Sequence, residues 1–494
     1  MRKLYSLTLP PDTARMSLYI KGLSSDFTLH GLSKNQKLDF TTYFNSFCVK
    51  KWRKYTTISA VRLSLELRGR FRIAYIGVDE AGTVSELFSE EIVSSRYEHT
   101  FSENELSSIA LLGFILTSLE ESGAILDGAW CGEFACWREK TIGISICTFK
   151  REKYVTRTLK TLEAFIRSSS WLRVLVVDNG NTLPLREDQD IRVIHSRNYG
   201  GSGGFTRGMI EYAEEEHSPD YVLLMDDDII LDTTSIERTH SLLCGVKDVY
   251  AESFVAGSML STEEPTVQFE NTAYWDKVTY RSIFQGWNLD DIARLAQNGD
   301  LQPQKNQYAG WWYCCIPTDR IGQIGYPLPL FIKNDDMEYS IRNDREILTM
   351  NGIGVWHQVF DAKQSPVMSY FANRNSLILQ HFAHGCSRMT ALVSIILKTG
   401  KRVLHCDGRE LCVLAKAVND YADGLSALTT LPADDFMNGV ARYLSRSFSL
   451  SDLFCLLRGF FRVVLNWKKL DKSYNAFREE NMSDSVFWKS YFQR

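Results

Sequence analysis

The sequence predicts an α/β protein: a mostly parallel central sheet, preceded by a β-sandwich and followed by a helical domain. Three observations carry this. Residues 59–137 alternate apolar and polar with period two, residues 142–225 alternate apolar runs with amphipathic stretches, and the apolar spacing beyond residue 366 is helical. A chain of 494 residues is too long for one ordinary core. Three domains are expected, at 1–138, 139–365 and 366–494.

In the first region, the segments at 61–67 and 71–75 alternate strictly and are separated by Gly69. Such strands have one apolar face each, and packing two sheets face to face is the natural way to cover it. The longest uncharged apolar stretch, 106–119, is shorter than the roughly 20 residues needed to span a bilayer and is flanked by Glu105, Glu120 and Glu121. It reads as buried core.

From residue 141 the character changes. Residues 142–148 read as a buried strand, 155–168 as an amphipathic helix and 172–178 as a second buried strand, which makes a βαβ unit. A strand at 191–195, a helix at 205–216 and a strand at 221–225 continue the alternation. Ligands of such sheets sit at the carboxyl ends of the strands. Three polar motifs fall there: Asp178-Asn179-Gly180, the run from Asn198 through Gly200, Gly201, Gly203 and Gly204, and Asp226-Asp227-Asp228.

Three adjacent acids at the end of a buried strand repel one another unless they are solvated or neutralised by a cation. In extended backbone Asp226 and Asp228 project to the same side, and two carboxylates there suit Mn²⁺ or Mg²⁺, with a diphosphate and water completing the shell. A solvated acidic turn is the competing reading of the triplet taken alone. The glycine run could bring bare N–H groups close to a diphosphate; it lacks both the G-x-G-x-x-G spacing and the Walker lysine. Asn334-Asp335-Asp336-Met337-Glu338 is a second acidic cluster. It reads either as the acidic first turn of a helix or as the source of a base whose pKa is raised by nearby like charge. His357, after a short apolar strand, could add an imidazole nitrogen to the metal site. Trp275, Trp311 and Trp312 are candidates for stacking on sugar rings, although tryptophan is more often core or interface.

In this order, Thr148 to Arg151, Val177 to Asn179, Asn198 to Phe205, Met225 to Asp228, Trp311-Trp312, Asn334 to Glu338 and Trp356-His357 resemble the family 2 glycosyltransferases of GT-A fold. Within them the chain is most similar to bacterial galactofuranosyltransferases of the galactan-polymerising type, over about residues 141–360. The resemblance implies a nucleotide-sugar-binding sheet and an inverting transfer of galactofuranose from a UDP-sugar to a lipid-linked or polysaccharide acceptor, as in O-antigen or other cell-envelope glycan synthesis. It implies Asp226, Asp228 and His357 as metal ligands, Asp336 as base with Asp335 beside it, and Arg151, Asp178, Asn198, Gly201, Asp227, Trp311 and Trp312 at the donor. Trp275 and Glu338 would meet the acceptor. Donors such as UDP-galactopyranose, UDP-glucose or dTDP-rhamnose stay open, as does a non-catalytic glycan-binding protein.

A net charge of −4 gives no general attraction to nucleic acid. Eleven cysteines without a C-x-x-C pair suit reduced thiols, not structural zinc, in a cytoplasmic protein, and the first eleven residues lack the apolar core of a signal peptide. Arg442, Arg446, Arg458, Arg462, Lys468, Lys469 and Lys472, set among Phe, Leu and Val, suit either a peripheral contact with an anionic membrane at its inner face or a solvated face of an ordinary bundle. Homo-oligomerisation is left open.

Overall fold

The computed structural model describes residues 1–24, 26–188, 190–300, 302–359, 365–429, 433–445 and 448–493. Arg446 and the end of the resemblance at residue 360 lie outside the described residues.

Period-two alternation in the first region produces two four-stranded antiparallel sheets. In the strand Ile58–Arg68, Val61, Leu63, Leu65 and Leu67 are buried, while their neighbours face outward. Aromatic contacts close the sandwich: Tyr75 meets Phe101 edge-on at 4.9 Å and Phe114 meets Trp130 at 6.0 Å. The apolar stretch at 106–119 contributes the buried strand Leu111–Ser118.

The central sheet is parallel where βαβ units were expected, in the order Ile191–His195, Leu172–Asp178, Ile142–Thr148, Tyr221–Asp226. Beyond it the sheet is mixed. Tyr313–Pro317 joins Tyr221–Asp226 antiparallel and is followed by Val255–Ser261, which pairs in parallel with the long strand Leu348–His357. This last pairing brings His357 back to the edge where Asp226 ends.

The glycine-rich run is helical from its start, in Gly200–Ala213, earlier than the expected 205–216. Its glycines serve mainly close packing. A Cβ on Gly204 would stand 2.2 Å from Cys147 Sγ, and one on Gly208 would stand 1.9 Å from Ser145 Oγ, so the helix lies against the sheet at a distance no side chain permits. The expected cradle of bare N–H groups is largely taken up within the protein, since Ser202 N donates to Phe331 O (3.1 Å) and Gly203 N to Tyr199 O (3.2 Å), and Gly200 N is held by Asn198.

The C-terminal helices Pro366–Leu379, Arg388–Leu404 and Leu450–Asn481 surround Gly408–Ala422, which is buried on nearly every side and so needs partners all round. Val486–Phe492 returns to the sheet domain, where Trp488 donates to Pro327 O (2.9 Å) and Tyr199 donates to Tyr491 O (3.0 Å). Two apolar cores cross the expected domain limits. One joins the sandwich to Ile144, Ile146, Leu223, Met225 and Trp356; the other joins the C-terminal helices to Val177, Leu224, Leu330, Phe331 and Tyr339. The sheet lies between them.

Candidate active site

Asp226 closes its strand opposite Cys147, and the chain then turns so that the three acids separate. Asp227 points inward, where its carboxylate accepts from Thr148 Oγ1 at 2.6 Å. Burial raises its pKa to about 6 against the opposing pull of Thr148 and Arg151. Asp226 and Asp228 face His357, whose Nε2 lies 3.9 Å from Asp226 Oδ2 and 3.0 Å from Asp228 Oδ1. A ligand atom from each of these three residues falls within 4.8 Å of the others. Arg151 closes the cluster from the other side, paired with Asp228 and 3.4 Å from Asp227 Oδ1. The triplet is therefore a partnered cluster, not a solvated turn.

The imidazole is oriented by its own backbone. Nδ1 stands 2.6 Å from Gln358 O, and a carbonyl can only accept, so Nδ1 carries the hydrogen. Nε2 is left directed at the carboxylates with its lone pair available when the ring is neutral. Burial pulls the His357 pKa down, but Asp228 and Asp226 outweigh it and leave it raised. Two carboxylates and an oriented imidazole nitrogen fit a divalent cation by donor type and by convergence.

The second cluster comes after a loop of unusual backbone. Phe331, Lys333 and Asn334 have φ of 73°, 67° and 66°. Left-handed conformations in non-glycine residues cost of order 1–3 kcal/mol each and persist only where the surroundings enforce them. Gly200, with φ of 69°, makes room: a Cβ there would lie 2.1 Å from Phe331 O, which instead accepts from Ser202 N at 3.1 Å. The loop leads into the helix Asp335–Asn343, with both aspartates in its first turn. Asp335 is buried beside Gly201, whose Cβ position is 3.8 Å from Asp335 Oδ2. Asp336 is partly exposed and lies within electrostatic reach of Asp226, Glu270 and Tyr308. Burial raises both aspartates, and the charge of Asp336 raises Asp335 further.

Several expected site residues are placed differently. Glu338 is 0% exposed and grips Arg342 through both carboxylate oxygens, at 2.7 and 2.6 Å, so it is a structural ion pair and not an acceptor contact. The i,i+4 spacing of the two residues was the available signal. Asp178 is also fully buried. It accepts from the backbone N–H groups of Gly180, Thr182 and Leu183 at 2.8, 2.6 and 2.7 Å, which shapes the strand-end loop. Asn198 accepts from Gly200 N at 3.1 Å and so sets the start of the glycine-rich helix.

Trp275, Trp311 and Trp312 are only 3%, 5% and 6% exposed, which corrects the expectation of open stacking faces. Trp312 donates to Gly257 O (2.9 Å), Trp311 sits edge-on to Phe205 at 5.3 Å, and Trp275 belongs to an apolar cluster with Met337 and Ile341. Glu270 is a residue that sequence reading missed. It is buried, accepts from Ser282 Oγ, and burial pushes its pKa up to about 7.

Residues 15–133 match the family described as Galactofuranosyltransferase 2 N-terminal, and residues 144–292 match Glycosyl transferase family 2. The chain is 26% identical over 438 residues to the galactofuranosyltransferase GlfT2 of Mycobacterium tuberculosis, covering 80% of this chain and 66% of that protein. It is likewise 26% identical over 438 residues to GlfT2 of Mycolicibacterium smegmatis, covering 80% and 65%. It thus spans just under two thirds of the length of these curated relatives. Among solved structures, Staphylococcus aureus TarS overlaps with a TM-score of 0.36 at 14% identity, covering 68% of this chain and 55% of that one. The two family matches run in the order of the sandwich and the sheet, and with the relatives they support a glycosyltransferase that is similar to the galactofuranosyltransferases, with a family 2 match over the sheet domain.

Proposed function

We propose that the chain is an inverting, metal-dependent glycosyltransferase that moves galactofuranose from UDP-galactofuranose to a lipid-linked or polysaccharide acceptor in bacterial surface glycan synthesis. The observation that carries this reading is the convergence, at one sheet edge, of the Asp226, Asp228 and His357 donor set with the raised carboxylate of Asp336. Asp226, Asp228 and His357 would hold Mn²⁺ or Mg²⁺, the nitrogen donor favouring Mn²⁺. Such an ion would supply charge stabilisation to the departing diphosphate. Arg151, held by Asp227 and Asp228, adds a fixed positive charge on the same side. Asp336 takes the proton of the incoming acceptor hydroxyl, and its raised pKa suits that role near neutral pH. One base and one leaving-group site suffice for inversion, so no covalent nucleophile is required.

The C-terminal helices support a peripheral membrane contact. No helix among the described residues is long and apolar enough to cross a bilayer. Leu450, Phe454, Leu457, Phe461 and Leu465 form an exposed stripe on Leu450–Asn481, joined by Met389, Val393, Ile396 and Leu397 on Arg388–Leu404 and flanked by exposed Arg458, Lys468 and Lys469. Apolar side chains with basic neighbours fit the headgroup region of an anionic bilayer. Phe454→Ser with Phe461→Ser is expected to reduce sedimentation with anionic vesicles without changing transfer to a soluble acceptor; unchanged sedimentation would favour a solvated bundle face.

The function is tested by presenting UDP-galactofuranose, UDP-galactopyranose, UDP-glucose and dTDP-rhamnose with Mn²⁺ and determining product linkage by NMR. Transfer from galactofuranose alone is expected. Transfer from another donor overturns the sugar assignment, and absence of Mn²⁺-dependent UDP binding overturns the transferase reading.

A further inference from the structure

We infer that Asn375, aimed by Arg374, is a positioning residue for the loop that carries Asp335 and Asp336. This rests on the reading of Asp336 as the base. Asn375 belongs to the first C-terminal helix, beyond the sheet domain expected from sequence, and it is fully buried. Its side-chain nitrogen faces three carbonyls of the strained loop, Leu330 O at 3.2 Å, Ile332 O at 2.9 Å and Lys333 O at 2.8 Å. An amide NH₂ has two hydrogens, so the three carbonyls share them and are drawn to one point.

The direction of that amide is not arbitrary. Arg374 Nε donates to Asn375 Oδ1 at 2.9 Å, and a guanidinium has no acceptor, so the oxygen must face Arg374 and the NH₂ must face the loop. Arg374 also donates through Nη2 to Leu330 O at 2.9 Å. Its guanidinium lies 4.9 Å from the centre of the Phe371 ring, and that ring stacks on Phe331 of the loop at 5.2 Å. Amide, guanidinium and ring therefore hold the loop from one side.

The left-handed residues Phe331, Lys333 and Asn334 explain why such a clamp is needed. With no glycine at these positions the loop would relax toward ordinary backbone angles once released. Asp335 and Asp336 come directly after it, so a relaxed loop moves the base, while Asp226, Asp228 and His357 stand at the ends of two strands that the loop does not carry. Asn375 acts through the backbone and takes no part in the proton transfer.

Asn375→Leu keeps the volume and removes both donors; Asn375→Asp keeps the shape and the Arg374 contact and replaces donors by acceptors. A misplacement of about 1 Å at a reacting group lowers turnover about a hundredfold. Both variants are expected to lose about that much kcat, with Mn²⁺-dependent UDP affinity and donor KM within about threefold of the parent enzyme. If the leucine variant does not fold, the aspartate variant gives the result. Turnover within about threefold of the parent in a folded variant overturns the inference, and so does a loss of kcat accompanied by an equal loss of UDP affinity, which marks general disorder. Asp336→Asn is assayed beside them. If it still transfers sugar, the base reading has failed; if it is inactive while both Asn375 variants turn over normally, the clamp alone has failed.

Discussion

The two acidic clusters have nearly the same composition and different surroundings. Asp226, Asp227 and Asp228 are in direct contact with Arg151, His357 and Thr148, so burial is met by cationic and hydroxyl partners. Asp335 feels the charge of Asp336, both are tempered by the field of Lys333 and by backbone N–H groups, and burial raises both. Chemistry here is assigned by the partners and not by the acids. Burial raises Asp226 and Asp227 too, but Arg151 and His357 pull against it and suit the first cluster to a cation, whereas the second, facing Lys333 and backbone N–H groups, suits the proposed exchange of a proton.

The largest effect expected from this contrast is at Asp336. Asp336→Asn should lower kcat by at least about a thousandfold, the scale of general base catalysis, while Mn²⁺-dependent UDP binding stays within about threefold. Loss of UDP binding in that variant would break the division between the clusters.

Asp228→Ala should weaken Mn²⁺ binding about a hundredfold, read by titration with and without UDP. Unchanged affinity would leave the first cluster as an ion-pair network around Arg151.

The smallest effect concerns pH and stability. The pKa values of Asp227, about 6, and Glu270, about 7, lie above those of exposed carboxylates. Between about pH 4 and 7 the folded protein therefore holds more protons than the unfolded chain, and the stability these groups contribute at low pH is lost as pH rises through that window. Denaturant unfolding of the metal-free protein should show it. Glu270→Gln should remove its share, about 3 kcal/mol between pH 4 and 7.5, and Mn²⁺ should offset the loss at the first cluster but not at Glu270. An unchanged slope in Glu270→Gln would show that this carboxyl is not perturbed.

Much of this arrangement was legible in the sequence. Period-two alternation marked the sandwich, and apolar runs ending in polar motifs marked the strand ends, because both reflect burial patterns local to a segment. Asp226, Asp228 and His357 were nominated by ligand chemistry, and the strand pairing of Leu348–His357 with Val255–Ser261 brings them together. The roles of Glu338 and Asp178 depended on whether a short-range partner was present, which the Glu338–Arg342 spacing and the Asp-Asn-Gly turn both hinted at. The burial of the three tryptophans could not be read, since it depends on elements far away in the chain. Nor could the strained loop: Phe331, Lys333 and Asn334 carry no glycine signal, and their restraint comes from a helix assigned to another domain.

Trp356, one residue before His357, stacks near Phe44 at 5.4 Å and carries Arg15 over its ring at 4.8 Å, both from the N-terminal region. His357 is thus braced by the N-terminal region that precedes the sheet, as the loop before Asp335 and Asp336 is braced by the helices that come after it. The consequence is a division of vulnerability. On the proposed function, a partner, insertion or protease that loosens the sandwich would first cost the protein its grip on the nucleotide, whereas one acting on the C-terminal helices would leave a protein that still binds donor and no longer turns it over.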